Sequence, residues 1–218
     1  MTSFPAAVPA PVAGALVAEL ERIAVSHLSD NLSRLRGATG LQRVHGRRKL
    51  VGTALTVKTR PGDNLLIYQA LMLGQPGHVL VVDGGGDTTN ALVGELIMLY
   101  AQQRGFAGFV IDGAVRDSAA FVAADFPCYA RGVSHRGPYK QGPWALHVPV
   151  SVGGQVIYSG DLIVGDEDGV VSFGQDEAGA LIEAAHRTAA NEEAIKREIA
   201  TGKVEQSWLD KVLKPAGL

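Results

Sequence analysis

His78-Val79-Leu80-Val81-Val82-Asp83-Gly84-Gly85-Gly86-Asp87 and, thirty residues on, Gly108-Phe109-Val110-Ile111-Asp112-Gly113-Ala114-Val115-Arg116-Asp117 share one design. A short apolar run, rich in β-branched residues, ends abruptly in an Asp-Gly turn. That is the pattern of a strand buried on both faces. Between them, Asn90 to Arg104 has helical periodicity, Ser118 to Ala124 reads as a short helix, and Pro127-Cys128-Tyr129-Ala130 as a third strand. Strand–helix–strand–helix–strand order predicts parallel strands joined by right-handed crossovers, hence an α/β fold. In such sheets ligands bind beyond the carboxyl ends of the strands. The loops Asp83–Asp87 and Asp112–Asp117 then border one crevice.

Working outward, Val12 to Val25 has helical spacing, with Leu16, Leu20 and Ile23 on one face, and Ser26 to Asn31 reads as a cap-rich junction. Gly52 to Thr59 is a β-branched strand stopped by Pro61-Gly62-Asp63-Asn64, and Leu65 to Leu73 a short helix. After Gly132 come short strands of antiparallel or mixed character at Val148–Val152, Gln155–Tyr158, Asp161–Val164 and Gly169–Phe173. Asp176 to Ala200 is a long charged helix with Leu181, Ile182 and Ile195 marking its apolar side. The expected organisation is one α/β domain over residues 1–218, with an N-terminal arm and helix at 1–25 and a C-terminal helix and tail at 176–218.

With 20 Lys plus Arg against 22 Asp plus Glu, the net charge of −2 gives no support to nucleic-acid binding. A charged fraction of 19% beside 46% hydrophobic residues supplies material for a buried core. The single cysteine, Cys128, can make neither an internal disulfide nor a thiolate metal site. Met1-Thr2-Ser3-Phe4-Pro5 lacks the charged start of a signal peptide, and the apolar stretch Ala6 to Ala18 is broken by Pro9 and Pro11. It reads as a docked arm. No apolar run reaches membrane-spanning length, and a cytoplasmic location is expected.

Several residues admit two readings. Gly94 inside a helical pattern costs about 1 kcal/mol against Ala, which makes sense if a ligand or other atoms approach closely there; simple turn chemistry is the alternative for the glycines. Arg116 can grip a substrate carboxylate through two parallel hydrogen bonds, or be a solvated surface residue. Asp117 can hold a hard divalent cation, or cap the helix that begins at Ser118. Glu95 is either an acid favoured by the start of a helix or a carboxylate that orients metal-bound water. Asp83, Asp87 and Asp112 read most simply as turn residues, and His135 and Lys140 as turn or subunit-contact residues. Ser-His-Asp and Cys-His arrangements, a phosphate-loop lysine and a paired-His metal motif are missing from the sequence.

Gly94-Glu95-Leu96 followed by Asp112-Gly113-Ala114-Val115-Arg116-Asp117 resembles the RraA-like family, which includes the 4-hydroxy-4-methyl-2-oxoglutarate/4-carboxy-4-hydroxy-2-oxoadipate aldolases. The resemblance runs from about Ser26 to Val171 and takes in Gly52–Val57, Val82–Asp87, Arg136-Gly137-Pro138, Val148-Pro149-Val150 and Gly160–Val171. The aldolases carry an acidic residue, twenty intervening residues, then Arg-Asp; here Leu96 to Val115 intervene between Glu95 and Arg116-Asp117. The family's Asp is Glu95 in this chain, and Trp144 stands where many relatives have a small residue. The RNase-regulator branch also tends to Glu but loses the acid after the arginine, so Asp117 points to the enzymes; a non-catalytic regulator of an RNase partner is the alternative.

The resemblance implies the family's swivelling-type α/β domain with a mixed parallel and antiparallel β core. It implies a class II lyase that cleaves or decarboxylates a small 2-oxo di- or tricarboxylic acid to pyruvate, oxaloacetate included. Mg2+ or Mn2+ would sit near Asp117. Arg116 and the backbone at Gly94, Glu95, Leu96 and Ile97 would bind the pyruvyl carboxylate. A water held by Glu95 and Asp117 would shuttle the proton. A glutamate from a neighbouring subunit, Glu192 or Glu193 by position, would complete the metal shell in a trimer or pair of trimers.

Overall fold

Alternation along the central strands decides the layering. In strands β2 (Leu50–Lys58), β3 (His78–Asp83) and β5 (Gly108–Val115), Leu55, Val57, Leu80, Val82, Phe109 and Ile111 point to one face, while Ala54, Val79, Val81 and Val110 point to the other. Both sets are buried, so the sheet is covered on both sides. The structure, a computed structural model, describes residues 7–142, 145–203 and 206–216. Trp144 and the opening Met1–Pro5 stretch lie outside the described residues.

The remaining strands are β1 (Gln42–Arg43), β4 (Ala91–Val93), β6 (Cys128–Val133), β7 (Ala145–Leu146), β8 (Val150–Val152), β9 (Gln155–Ile157), β10 (Leu162–Asp166) and β11 (Gly169–Phe173). The helices are α1 (Gly14–Leu20), α2 (Val25–Asn31), α3 (Leu65–Leu73), α4 (Glu95–Gln103), α5 (Ser118–Ala124), α6 (Ala178–Ala200) and α7 (Ser207–Leu213). The main sheet runs β1-β6-β5-β3-β2-β10-β11. Its centre, β6-β5-β3-β2, is parallel, as the crossover pattern predicted; β1, β10 and β11 are antiparallel to their neighbours. The fold is therefore α/β with a mixed sheet and a C-terminal helix. Helices α3, α4 and α5 bury the first face, the β8–β9 hairpin covers the second, and α1, α2 and α6 close over β10 and β11. The N-terminal arm is docked: His78, accepting the Gln75 N–H at Nδ1, donates from Nε2 to Pro9 O at 2.9 Å, and Val12 N–H donates to Thr53 Oγ1 at 2.8 Å.

Five expectations are corrected. Ser26 to Asn31 is part of helix α2, because burial of Val25 and Leu28 against α6 and β11 outweighs the cap-favouring side chains, most of which face outward. The Val12–Val25 pattern is accordingly split between α1 and α2. The Asn90–Arg104 pattern opens with strand β4, which pairs parallel with the far half of β5 where β3 has ended. Strand β5 itself runs on to Val115, so Asp112 to Val115 is extended chain rather than loop. On α6, Leu181 and Ile182 are buried as expected, but Ile195 is 55% exposed, because the helix has by then run past the sheet.

An aromatic cluster of the core lies where β5 and β6 begin, at the opposite end of the strands from Arg116-Asp117: the Phe109 ring meets Phe126 edge-on at 4.9 Å and Phe121 at 6.2 Å. All three are buried. Phe109→Ala should cost about 3–5 kcal/mol in urea unfolding, since rings on two neighbouring segments hold the cavity open. A loss below about 1 kcal/mol would show that this cluster does not anchor α5 to the sheet.

Candidate active site

Two strand ends meet at Gly94 and Arg116-Asp117. Arg116 N–H donates to Val93 O at 3.0 Å, which sets the end of β4 against the end of β5. The chain then turns sharply: Asp117 has φ 54° and ψ 40°, the left-handed region that Asp tolerates better than most residues. In this geometry Asp117 makes no cap bond to its own helix, contrary to the simpler reading of its sequence position. Its Oδ2 instead accepts the Glu95 N–H at 3.1 Å, capping the first turn of the neighbouring α4. Arg116 Nε lies 3.6 Å from the same oxygen. Both side chains are about half exposed.

Gly94 makes this meeting possible. Its backbone is extended (φ −153°), so any residue could adopt it, and it precedes the helix rather than interrupting it. The requirement is space. A Cβ on Gly94 would stand 2.6 Å from Asp117 Oδ2 and 2.8 Å from Arg116 Cγ. On the other side of the guanidinium a Cβ on Gly137 would stand 3.0 Å from Arg116 Nη1. Arg116 thus threads between two glycines, the second in the Arg136-Gly137-Pro138 stretch.

The cleft beside Arg116 is lined by Asn64, Tyr68, Leu92, Val93, Gly94, Leu96, Ile97, Pro138 and Lys140. The structure so brings together Gly94, Glu95, Leu96, Ile97, Arg116 and Asp117. Within the first turn of α4 the Glu95 N–H is already taken by Asp117, which leaves the N–H groups of Leu96 and Ile97 without a carbonyl four residues back. Such a turn favours an anion. Glu192 and Glu193 are not part of this grouping in the chain. Glu192 Oε2 accepts from His27 Nε2 at 2.9 Å and ties α6 to α2, and Glu193 is exposed.

Asn64, Tyr68 and Lys140 line the cleft although the sequence reading gave them no part in it. Asn64 is 2% exposed; it donates from Nδ2 to Leu92 O at 3.0 Å, while its Oδ1 is buried without a hydrogen-bond partner among the described residues. Lys140 lies with Nζ 5.8 Å from the Tyr68 ring centroid. Their neighbour Asp63, wholly buried, accepts N–H bonds from Leu65, Gln141 and Gly142 at 3.0, 2.6 and 3.0 Å. Burial pushes its carboxyl up, but the three amides and nearby Arg60 outweigh that and hold it below the usual carboxylate value. A signal was present, since Asp-Asn at the foot of a helix invites side-chain bonding to backbone. The stretch read only as a strand stop.

Asp83 and Asp112, expected as turn residues, lie in strands β3 and β5, and their contacts are structural. Asp83 accepts N–H bonds from Gly85 and Ser151, and Asp112 pairs with Arg131 and accepts from Gly153 N–H. They fasten the β8–β9 hairpin to the sheet. Among the described residues no group of three His, Cys, Asp or Glu side chains could hold a metal ion. What the corner offers is oxygen only: Glu95 and the Asp117 Oδ1, which has no hydrogen bond among the described residues. That chemistry fits a hard divalent cation bound partly by ligands from outside the chain.

Gly94→Ala should push Asp117 off the Glu95 amide. Amide exchange at Glu95 should quicken by about tenfold or more while the thermal midpoint moves by only a few degrees. Unchanged protection at Glu95 would mean that the corner tolerates a Cβ and that the close approach is not required.

The chain matches the RraA-like family, described as Aldolase/RraA, over residues 25–172. It is 35% identical over 202 residues to a Halalkalibacterium halodurans protein provisionally named 4-hydroxy-4-methyl-2-oxoglutarate aldolase, covering 92% of this chain and 96% of that one. Among solved structures, an uncharacterised protein from Pseudomonas syringae pv. tomato superposes with a TM-score of 0.80 at 28% identity, over 93% of this chain and 95% of the other. A Streptomyces coelicolor protein described as an unusual member of the RNase ES inhibitor RraA family gives 0.76 at 28% identity, over 85% and 97%. With its mixed sheet, its paired βα corners and a match over most of its length, the chain belongs to the RraA-like family.

Proposed function

We propose that the chain is an aldolase-type lyase that releases pyruvate from a small 4-hydroxy-2-oxo di- or tricarboxylic acid, and that also decarboxylates oxaloacetate. The observation that carries this reading is the shared corner at Gly94, where Arg116 and the first turn of α4 at Leu96 and Ile97 line one cleft and the Asp117 carboxylate lies beside the Arg116 guanidinium. The 35% identical relative named for this aldolase supports it.

Arg116 and the α4 amides bind the carboxylate of the 2-oxo acid, the guanidinium by its planar fork. Lys140 receives the substrate's second carboxylate. Asn64 Oδ1 accepts from the substrate hydroxyl and so fixes which face of the carbon chain is presented. In aldol cleavage a base removes the C4 hydroxyl proton, the C3–C4 bond breaks, and its electrons pass to the pyruvyl carbonyl oxygen. In decarboxylation CO2 leaves with the same result. Either way pyruvate enolate forms next to Arg116 and takes a proton at C3. Glu95 and Asp117 hold the water that carries that proton. A divalent cation, Mg2+ or Mn2+, held at Asp117 with a carboxylate from another subunit, supplies a Lewis acid for the developing charge. Because Glu192 is engaged by His27, Glu193 is the better placed of the two to serve a neighbour's site in a trimer or pair of trimers. The S. coelicolor relative keeps the regulator reading in view; Asp117 is the residue that argues against it.

Pyruvate release from a panel of 2-oxo acids, with and without chelator, tests the reading. Activity should vanish in EDTA and return with Mg2+ or Mn2+. Turnover after exhaustive chelation, with no metal by elemental analysis, would contradict the class II assignment. Asp117→Asn should lower metal affinity and kcat together by about 10- to 100-fold. Arg116→Lys keeps the charge but loses the fork, and should raise KM and lower kcat. Normal turnover by both variants would reduce the pair to a surface feature.

A further inference from the structure

Residues 137–142 form a strap across the cleft, and it is tied down on both sides of Lys140. On one side Tyr139 N–H donates to Gly62 O at 2.8 Å and Asn64 N–H to Tyr139 O at 3.0 Å. On the other, Asp63 Oδ2 accepts both Gln141 and Gly142 N–H. The near end is held where Asn90 Nδ2 donates to Gly137 O at 2.6 Å. Arg60 lies over the Tyr139 ring, 5.7 Å from its centroid. Lys140 is therefore an exposed residue of a fixed strap, and among the described residues the neighbour that steers its ammonium is the Tyr68 ring, at the cleft that Arg116 lines.

A fully buried carboxylate is expensive, and here it is placed on backbone donors alone with a guanidinium nearby. Two of its three amides belong to the strap, seventy-eight and seventy-nine residues further along the chain. The cost is spent on fixing a loop, not on the packing of the core. A flexible lysine loses rotamer freedom on binding, so a preset backbone and a ring that steers the ammonium lower the cost of reaching an anion.

Resting on the proposed lyase reading, we infer that Asp63 is a positioning residue for Lys140. Its carboxylate sets the strap, and Tyr68 sets the ammonium, so that the site selects 2-oxo acids bearing a second anionic group. Asp63→Asn removes the charge and leaves one oxygen to accept what two oxygens accepted, with an NH2 against one set of these amides, which loosens the strap at nearly constant volume.

The test compares two substrates of one enolate chemistry. Pyruvate, exchanging its methyl protons with deuterium, has no distal anion; oxaloacetate has one. Asp63→Asn and Lys140→Gln should each raise KM for oxaloacetate by about tenfold with kcat changed by less than about threefold, and pyruvate exchange should stay within about threefold. The double variant should be no worse than either single, since both act through one contact. Tyr68→Leu, which leaves the tether intact, should raise the same KM by a smaller factor. Additive losses in the double variant, or equal losses on both substrates, would overturn the inference. So would Asp63→Asn with an unchanged KM. If the wild-type protein acts on neither substrate, the lyase reading fails on its own. The positioning role is then read in the free protein by NMR: Gln141 and Gly142 amides and the Tyr68 ring-current shift on Lys140 should lose their wild-type values in Asp63→Asn. Their retention would overturn it.

Discussion

The bond from the Glu95 amide to Asp117 Oδ2, closed over a residue without a side chain, is the constraint on which the site depends. It joins two βα corners that the sheet alone leaves as neighbours. It also decides what each group is free to do. Asp117 gives one oxygen to the helix and keeps the other; α4 gives up one amide and keeps two. Arg116 is held against the same carboxylate, so the cation and the anion that the proposed chemistry would use are fixed relative to each other before any ligand arrives. The left-handed backbone at Asp117 costs about 1 kcal/mol or more, and such strain persists where surrounding contacts over-determine it.

Four buried or half-buried aspartates end up at the same pole of the molecule, and they divide their work by the partners they find. Asp83 and Asp112 are satisfied by the β8–β9 hairpin, by Lys58 and by Arg131. Asp63 is satisfied by the strap, and Asp117 by α4. Of the four, the last retains an oxygen without a hydrogen bond among the described residues, next to the cleft that Arg116 lines. Residue type and position at a strand end do not separate these four; their hydrogen-bond partners do.

Much of the fold was legible because the central strands are buried on both faces and written in uninterrupted apolar runs. Helix α3 and strand β11 fall where the periodicity puts them. The misreadings have local causes. Helix α2 carries cap-favouring Ser, Asp and Asn, and only its contact with α6 shows why it is helical. Strand β4 is three residues long and is specified by the far half of β5, a long-range partner invisible to a local pattern. At the site, local spacing left two readings open for Gly94, Glu95, Arg116 and Asp117, and it was the family resemblance that singled them out. The space that Gly94 leaves could not be read there, since it is filled by side-chain atoms of Arg116 and Asp117, more than twenty residues on. Lys140 and Asn64 were hidden in turn-forming stretches whose convergence on the cleft is a property of the folded chain.

The most direct measurement is a crystal structure of the protein with Mn2+ and oxalate, a planar dianion that mimics pyruvate enolate. The account predicts Mn2+ anomalous scattering beside Asp117, with one oxalate carboxylate on Arg116 and the amides of Leu96 and Ile97. Manganese and oxalate bound elsewhere, or an Arg116–Asp117 corner left empty at saturating concentrations of both, would contradict it.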